Sequence, residues 1–351
     1  VDFPADNSIG VVTVSKPPHY VGKHLTFDQT AHVAHRAQGR VTVPKGGFIG
    51  LEVSGKSAED LSFLTTLQPK ALQSIKLRGA KLGKAEMGQL VKLKSLVKLE
   101  LSNCEFSPDA FDDLPAMPEL LSLSISQRSN ENAASLPIAK WVAKLPKLES
   151  LYSRPSLNAA ALNEIGAHPT LAWIYVELGN DSKAILEGLS NLPALRGLSF
   201  SVTEDVDDET LQGLTNLDQL ERLRWFNGRV SGDILRGIAK HNRLQRLLLA
   251  QVEPGEDFLQ GIESLSELTH LEVANVPDGF RKRLKGFATT LMRMPNLVEW
   301  PTLRNINAET LDRVVDLPRI EKLTLDGVAR DVSPSQLSKL GKLKNLKRLG
   351  V

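Results

Sequence analysis

The sequence predicts an α/β solenoid, a parallel sheet with one short strand per repeat and a short helix behind each strand. Three observations carry that expectation. An apolar motif, L-x-x-L-x-L, begins at Phe48, Leu72, Leu96, Leu120, Leu148, Leu171, Leu195, Leu220, Leu244, Leu268, Leu297, Ile320 and Leu346, at spacings of 23 to 29 residues. Inside the motif the apolar residues alternate with polar ones, the period of a strand; after it they recur every third residue, the period of a short helix. Prolines and caps fall between the two halves at fixed places.

Each element follows from these patterns. In Leu96-Val-Lys-Leu99-Glu-Leu101 the alternation puts Leu99 and Leu101 on one face and Lys98, Glu100 and Ser102 on the other. Segments such as Leu186-Glu-Gly-Leu189-Ser-Asn-Leu192 and Leu211-Gln-Gly-Leu214-Thr-Asn-Leu217 give one apolar stripe of an α or 3₁₀ helix. Ser107-Pro108 and Ser333-Pro334 read as N-caps followed by proline at the first helical position, and Ser333 with Gln336 as a capping box. Pro118, Pro146, Pro169, Pro193, Pro295 and Pro318 each stand two residues before a strand anchor, where proline ends the preceding helix.

Residues 1–47 lack the motif. Residues 11–14 and 41–43 read as short strands around a helix at 28–38, with Pro17-Pro18 ahead of it; together they are expected to cap the open core of the first repeat. The fourth repeat carries a polar insertion at 127–135 and the tenth a basic one at 279–285, both expected as solvated loops. At the other end Leu346-Lys-Arg-Leu349-Gly-Val351 starts a strand whose unpaired edge invites self-association.

Twelve complete units and the start of a thirteenth, over 48–351, resemble the leucine-rich repeats of bacterial-looking, ribonuclease-inhibitor-like proteins. That resemblance implies a horseshoe solenoid with a concave parallel sheet and short convex helices. It also implies a non-enzymatic scaffold that binds another protein or a peptide across the concave sheet. Physical reasoning agrees on the shape, because helices are bulkier than strands and thirteen strands at ~4.8 Å span on the order of 60 Å. The family's Asn or Cys at the ninth motif position is mostly replaced here, so regularity must rest on leucine packing. Cys104, which occupies that slot, reads as a small buried hydrophobe.

Composition narrows the function. The 351 residues carry 43 basic and 41 acidic side chains, a net charge of +2 with no global field for nucleic acid or an anionic membrane. One cysteine excludes an internal disulfide, and no apolar run reaches the ~18 residues of a membrane span. The chain begins at Val1 without an initiator methionine, and the composition is compatible with the cytoplasm or with an exported bacterial protein. No P-loop, dinucleotide fingerprint, nucleophile elbow or zincin motif occurs. His24, His32 and His35 are the only arrangement suggestive of a metal site, and without further ligands they read as a solvated face; no cofactor is expected.

The remaining candidate is the concave sheet. Third, fifth and seventh motif positions point outward. They read Ser122, Ser124 and Ser126 in the fourth unit, but Tyr152, Arg154, Trp173, Tyr175 and Glu177 in the next two. Further along come Arg222, Arg224, Phe226, Arg246, Leu248, His270 and Glu272. Only 5% of the chain is aromatic, yet Tyr152, Trp173, Tyr175 and Phe226 all fall on outward positions, where aromatics and arginines mark binding surfaces. The bland counterpart is cross-strand stacking that merely stabilises the sheet. Trp225 and Trp300 hold inward positions and Trp141 the helical half, so all three are assigned to the core. A glycan or small-ligand sensor stacking sugars on Trp173, Tyr175 and Tyr152 is the alternative function. Nucleic-acid binding through the arginines is opposed by Glu177, Glu272 and Glu299 near the same surface.

Overall fold

The computed structural model describes residues 1–5, 8–21, 24–27, 33–43, 46–128, 135–203, 206–274, 290, 293–294, 296–298, 303–304, 319–326 and 332–350. The chain divides into two compact units, Val1–Val176 with Asn191–Ala194 and Glu177–Ser190 with Leu195–Val351.

In the first unit β1 (Val11–Ser15), β2 (His19–Val21), β3 (His24–Thr26) and β4 (Val33–Arg36) precede the repeats. These supply β5 (Phe48–Val53), β6 (Ser74–Arg78), β7 (Lys81–Leu82), β8 (Lys98–Phe106), β9 (Ser122–Gln127), β10 (Ser150–Arg154) and β11 (Trp173–Leu178), whose residues through Val176 belong here. The helices are α1 (Lys84–Leu90), α2 (Ser135–Val142) and α3 (Ala159–Ile165). Equivalent motif positions face each other along the parallel strands: Leu51 opposite Ile75, then Leu99, Leu123, Leu151 and Ile174. This alignment is what a strict period of two demands when one face is buried.

The second unit repeats the scheme with β12 (Gly197–Val202), β13 (Arg222–Phe226), β14 (Arg229–Val230), β15 (Arg246–Ala250), β16 (Glu253–Pro254) and β17 (His270–Ala274). Leu198, Leu223, Leu247 and Leu271 form its matching inward row. A separate parallel trio joins β18 (Leu303–Arg304), β19 (Lys322–Asp326) and β20 (Arg348–Gly350). Its helices are α4 (Ser182–Ser190), α5 (Asp208–Leu211), α6 (Gly232–Ala239) and α7 (Phe258–Glu263), with a further helix at Pro334–Ser338.

Inward positions make the core. Ile75, Leu77, Leu99, Leu101, Leu151 and Ile174 in one unit, and Leu198, Phe200, Trp225 and Leu249 in the other, are sealed from solvent. Trp225 packs on Phe200 at 4.8 Å between centroids and donates its Nε1–H to the Asn227 carbonyl at 3.0 Å. Trp141 is equally buried in α2 and donates to the Pro115 carbonyl. Cys104 is buried as expected, and desolvation pushes its thiol up from its ordinary value despite nearby backbone groups.

The backbone joins the repeats. The carbonyl at the second motif position accepts two N–H groups of the next repeat. Gln73 accepts from Val97 and Lys98, Val97 from Leu121 and Ser122, and Leu121 from Glu149 and Ser150. The second unit does the same at Arg196, Glu221 and Gln245. Buried polar groups of the strand entry are thereby satisfied without any particular side chain.

Several local expectations need correction. Residues 33–36, inside the segment 28–38 read as a helix, form strand β4 antiparallel to β1, with Val12 opposite His35 and Val14 opposite Val33. The pairing surface of Val12 and Val14 outweighs a short, weak helical pattern. Residues 41–43 are not a strand; the contact there is a single bridge between Asp2 and Arg40. Ser107-Pro108 opens consecutive turns, with Ala110 N–H bonded to Ser107 and Asp112 N–H to Asp109. A run with Asp109, Asp112, Asp113 at φ 56° and then Pro115 cannot extend a helix. Ser333-Pro334 does cap a helix, through reciprocal bonds between Ser333 and Gln336. The helices before Pro146, Pro169 and Pro193 end at Val142, Ile165 and Ser190. Trp300 and the 279–285 insertion lie outside the described residues, as does most of the one at 127–135.

On the helical side of the second unit, α6 and α7 touch through glycines. Asp257 Oδ1 accepts the Gly232 N–H at 2.8 Å, and its Oδ2 receives Arg236 at 2.7 Å. Burial opposes ionisation of this carboxyl, but the Gly232 N–H and Arg236 outweigh it and leave it below its ordinary value. A carboxyl depressed in the folded state contributes stability that is present at neutral pH and lost as pH falls below about 4. Asp257→Asn is therefore expected to lower stability at neutral pH by about 1 kcal/mol and to flatten the acid side of the curve. Urea midpoints at about pH 7 and pH 3 measure this, and an equal deficit at both would sink it.

Candidate functional site

Outward positions divide between the units. In the first, Tyr152 and Arg154 stand on β10, and Trp173 and Tyr175 on β11. Ser150 faces Trp173 across the strands, and Ser124 and Ser126 of β9 face Tyr152 and Arg154. The serines are short, so one flank of Tyr152 is left open. Its other flank is closed by Tyr175, the rings tilted with centroids 4.9 Å apart. Tyr175 is consequently 8% exposed, while Tyr152 and Trp173 remain half-buried and Arg154 exposed. Tyr175 thus supports the neighbouring ring more than it offers surface of its own.

The amino-terminal hairpin reaches this face. Tyr20 of β2 donates its hydroxyl to Glu149, at the entry to β10, and that bond pushes the phenol up to about 12, with burial adding to it. Phe27, just after β3, lies 6.3 Å from Phe48, and the Lys98 ammonium sits 5.3 Å above the Phe27 ring. Between this segment and the outward side chains of β5, β6 and β8 is a cleft of about 270 Å³, lined by Lys16, Phe27, Glu52, Ser74, Lys76 and Glu100 among others. Three of its charges are paired with one another. Glu100 holds Lys76 at 2.9 Å and Lys98 at 3.6 Å, and despite burial these cations keep its carboxyl low.

In the second unit three outward rows cross the strands. The first runs Gly197, Arg222, Arg246, His270; the second Ser199, Arg224, Leu248, Glu272; the third Ser201, Phe226, Ala250, Ala274. Arg224, Arg246 and Glu272 are exposed, and Arg222, Phe226, Leu248 and His270 are half-buried. Arg246 donates to His270 Nε2 at 3.4 Å, which fits the tautomer whose Nδ1–H points at Thr269 Oγ1, 2.8 Å away. Glu177, in this unit, is half-buried near the end of β11. Burial, then the charge of Arg246, pushes Arg222 down to about 10; Glu221 opposes this, but Glu221 already meets Arg196 at 3.6 Å.

Of the three histidines considered for a metal, His24 is in β3, His35 is in β4 and His32 lies outside the described residues; no group of three metal-ligating side chains occurs among the described residues. Sequence reasoning missed Tyr20 and Phe27, which no periodicity marks, and Glu149, whose second motif position marks the repeat but not the contact with Tyr20.

One main strand per repeat, parallel and in register, with short helices behind an apolar inward row, defines the leucine-rich repeat fold; β7, β14 and β16 add short second strands to three of the repeats. No family model and no curated protein matches the sequence. Solved structures do. An internalin, InlF of Listeria monocytogenes, is 16% identical with a TM-score of 0.49, the match covering 86% of each chain. TLR13 in complex with ssRNA13 is 18% identical with a TM-score of 0.50, over 80% of this chain and 42% of that one. The plant peptide hormone receptor RGFR1, in complex with RGF2, is 14% identical with a TM-score of 0.37, over 80% and 47%. These likenesses are of fold. Among the described residues no helix is long and apolar enough to cross a membrane.

Proposed function

We propose that this protein is a recognition scaffold that binds another protein or a peptide on the outward face of its sheet, with no chemistry of its own. One observation carries the reading: Tyr152 and Trp173, beside Arg154, are half-buried aromatics on a face whose preceding strand offers only serine. A sheet face with no partner has no need of such side chains, whereas partial burial and rigidity suit them to anchor a ligand. A solved structure of similar fold, TLR13, is a complex with an RNA, which is consistent with recognition as a use of this architecture. Residues 1–47 serve in this reading as the cap of a solenoid over 48–351. The antiparallel pairing of β1 with β5 supports it by covering an edge that would otherwise be bare.

A pull-down comparing wild type with Tyr152→Ala/Trp173→Ala tests the proposal, Tyr175 being left intact because it is buried. The double variant should melt close to wild type and lose a partner that wild type retains, with affinity weaker by at least about tenfold. Identical retention by both, or by neither, would remove the patch from consideration. Binding of a free oligosaccharide, abolished by Trp173→Ala, would instead favour a glycan sensor.

A further inference from the structure

The two units treat their outward charges differently. In the first, Glu100 is matched by Lys76 and Lys98. In the second, Arg222 and Arg246 face each other on adjacent strands, with Arg224 beside them, and among the described residues no carboxylate ion-pairs with any of the three. Strands about 4.8 Å apart hold like charges that close only at a cost. Glu221, the one acid among the described residues that acts on Arg222, is shared with Arg196. On the other flank of Arg222 stands Gly197, which is buried and offers no side chain to pair with it. Such an arrangement is costly in the free protein and favourable once an anion arrives.

Resting on the recognition reading above, we infer that Arg222 and Arg246 form a carboxylate-binding row that takes an acidic peptide segment of the partner. Two planar guanidinium groups one strand apart present paired N–H donors that a carboxylate accepts bidentately. The next rows set what flanks the acid. Leu248 and Phe226 are half-buried apolar side chains with exposed Arg224 beside them, so an acidic side chain flanked by an apolar one fits this face. Glu272 also lies on this face, opposite Leu248. A polyphosphate backbone would meet that repulsion along its length; discrete carboxylates over the first row avoid it.

The test is fluorescence anisotropy on the full chain, with a short labelled peptide of alternating glutamate and leucine, its glutamine counterpart, and labelled oligouridylate as probes. Wild type should prefer the glutamate peptide, with affinity falling as salt rises. Arg222→Gln/Arg246→Gln should weaken it at least about tenfold, because charge-assisted bonds are lost. The same variant should melt no lower than wild type without peptide, since it removes repulsion; a purely structural arginine would give the opposite sign. Arg246→Gln alone, at an exposed position, serves if the double variant folds poorly and should show a smaller loss in the same direction. Equal binding of glutamate and glutamine peptides, undiminished binding by these variants, or tighter binding of oligouridylate overturns the inference. If a partner is still captured through Tyr152 and Trp173 while the acidic peptide fails, only this inference falls and the recognition reading stands.

Discussion

Trp225→Ala is expected to lower unfolding stability by about 3–5 kcal/mol, the usual cost of emptying a buried tryptophan site. Three losses combine there. The indole is sealed from solvent, its ring packs on Phe200, and its N–H is the partner of the Asn227 carbonyl. Asn227 is itself held at φ 59° with its amide donating to Ser201, so the turn after β13 is anchored from both sides. In a repeat array each unit is stabilised by its neighbours, so the damage should reach β12 and β15 first. Hydrogen exchange should show these strands opening before β6 and β8. A urea midpoint shift equivalent to less than about 1 kcal/mol would mean the site collapses around the gap.

Gly232→Ala should cost about 3 kcal/mol, at the upper end of overpacking penalties. A Cβ there would lie 2.1 Å from the Asp257 carbonyl oxygen and 2.7 Å from its Cγ, and the backbone oxygen cannot rotate away. Gly261 repeats the constraint from the other side, since a Cβ on it would come within 2.5 Å of the Gly232 Cα. Helices α6 and α7 therefore approach to a distance only glycine permits, and the Asp257 bond to the Gly232 N–H depends on that approach. Thermal melting of the variant measures the effect. A change within about 0.5 kcal/mol would show that α7 shifts freely.

Most of the fold was legible because a strand's period of two assigns every motif residue to a face. Leu99, Trp225 and Leu249 went inward and Arg224, Arg246 and Glu272 outward, as read. What the period cannot state is how neighbours on one face share space. Tyr152 and Tyr175 hold the same motif position in consecutive repeats, so their stacking was readable in principle from the 23-residue spacing. The depth to which Tyr175 sinks was not, because it depends on ring packing between strands. The N-terminal segment failed for a different reason. With Ala31, Val33, Ala34 and Ala37 as its apolar residues, its pattern suits either period, and the partner strand β1 decides. Tyr20 and Glu149 are 129 residues apart, a separation over which no local signal reports a contact.

The joint between repeats has a consequence for inheritance. A carbonyl that receives two N–H groups from the next repeat recognises backbone alone, and Gln73, Val97, Leu121, Glu149, Arg196, Glu221 and Gln245 all do so with unrelated side chains. The joint places no constraint on spelling. Substitution on the outward face can therefore proceed strand by strand, turning serine rows into aromatic or arginine rows, without reopening the seams that hold the copies together. A lineage can try new surface chemistry on an old frame, and β9 and β13 carry serine and arginine rows on the same joint.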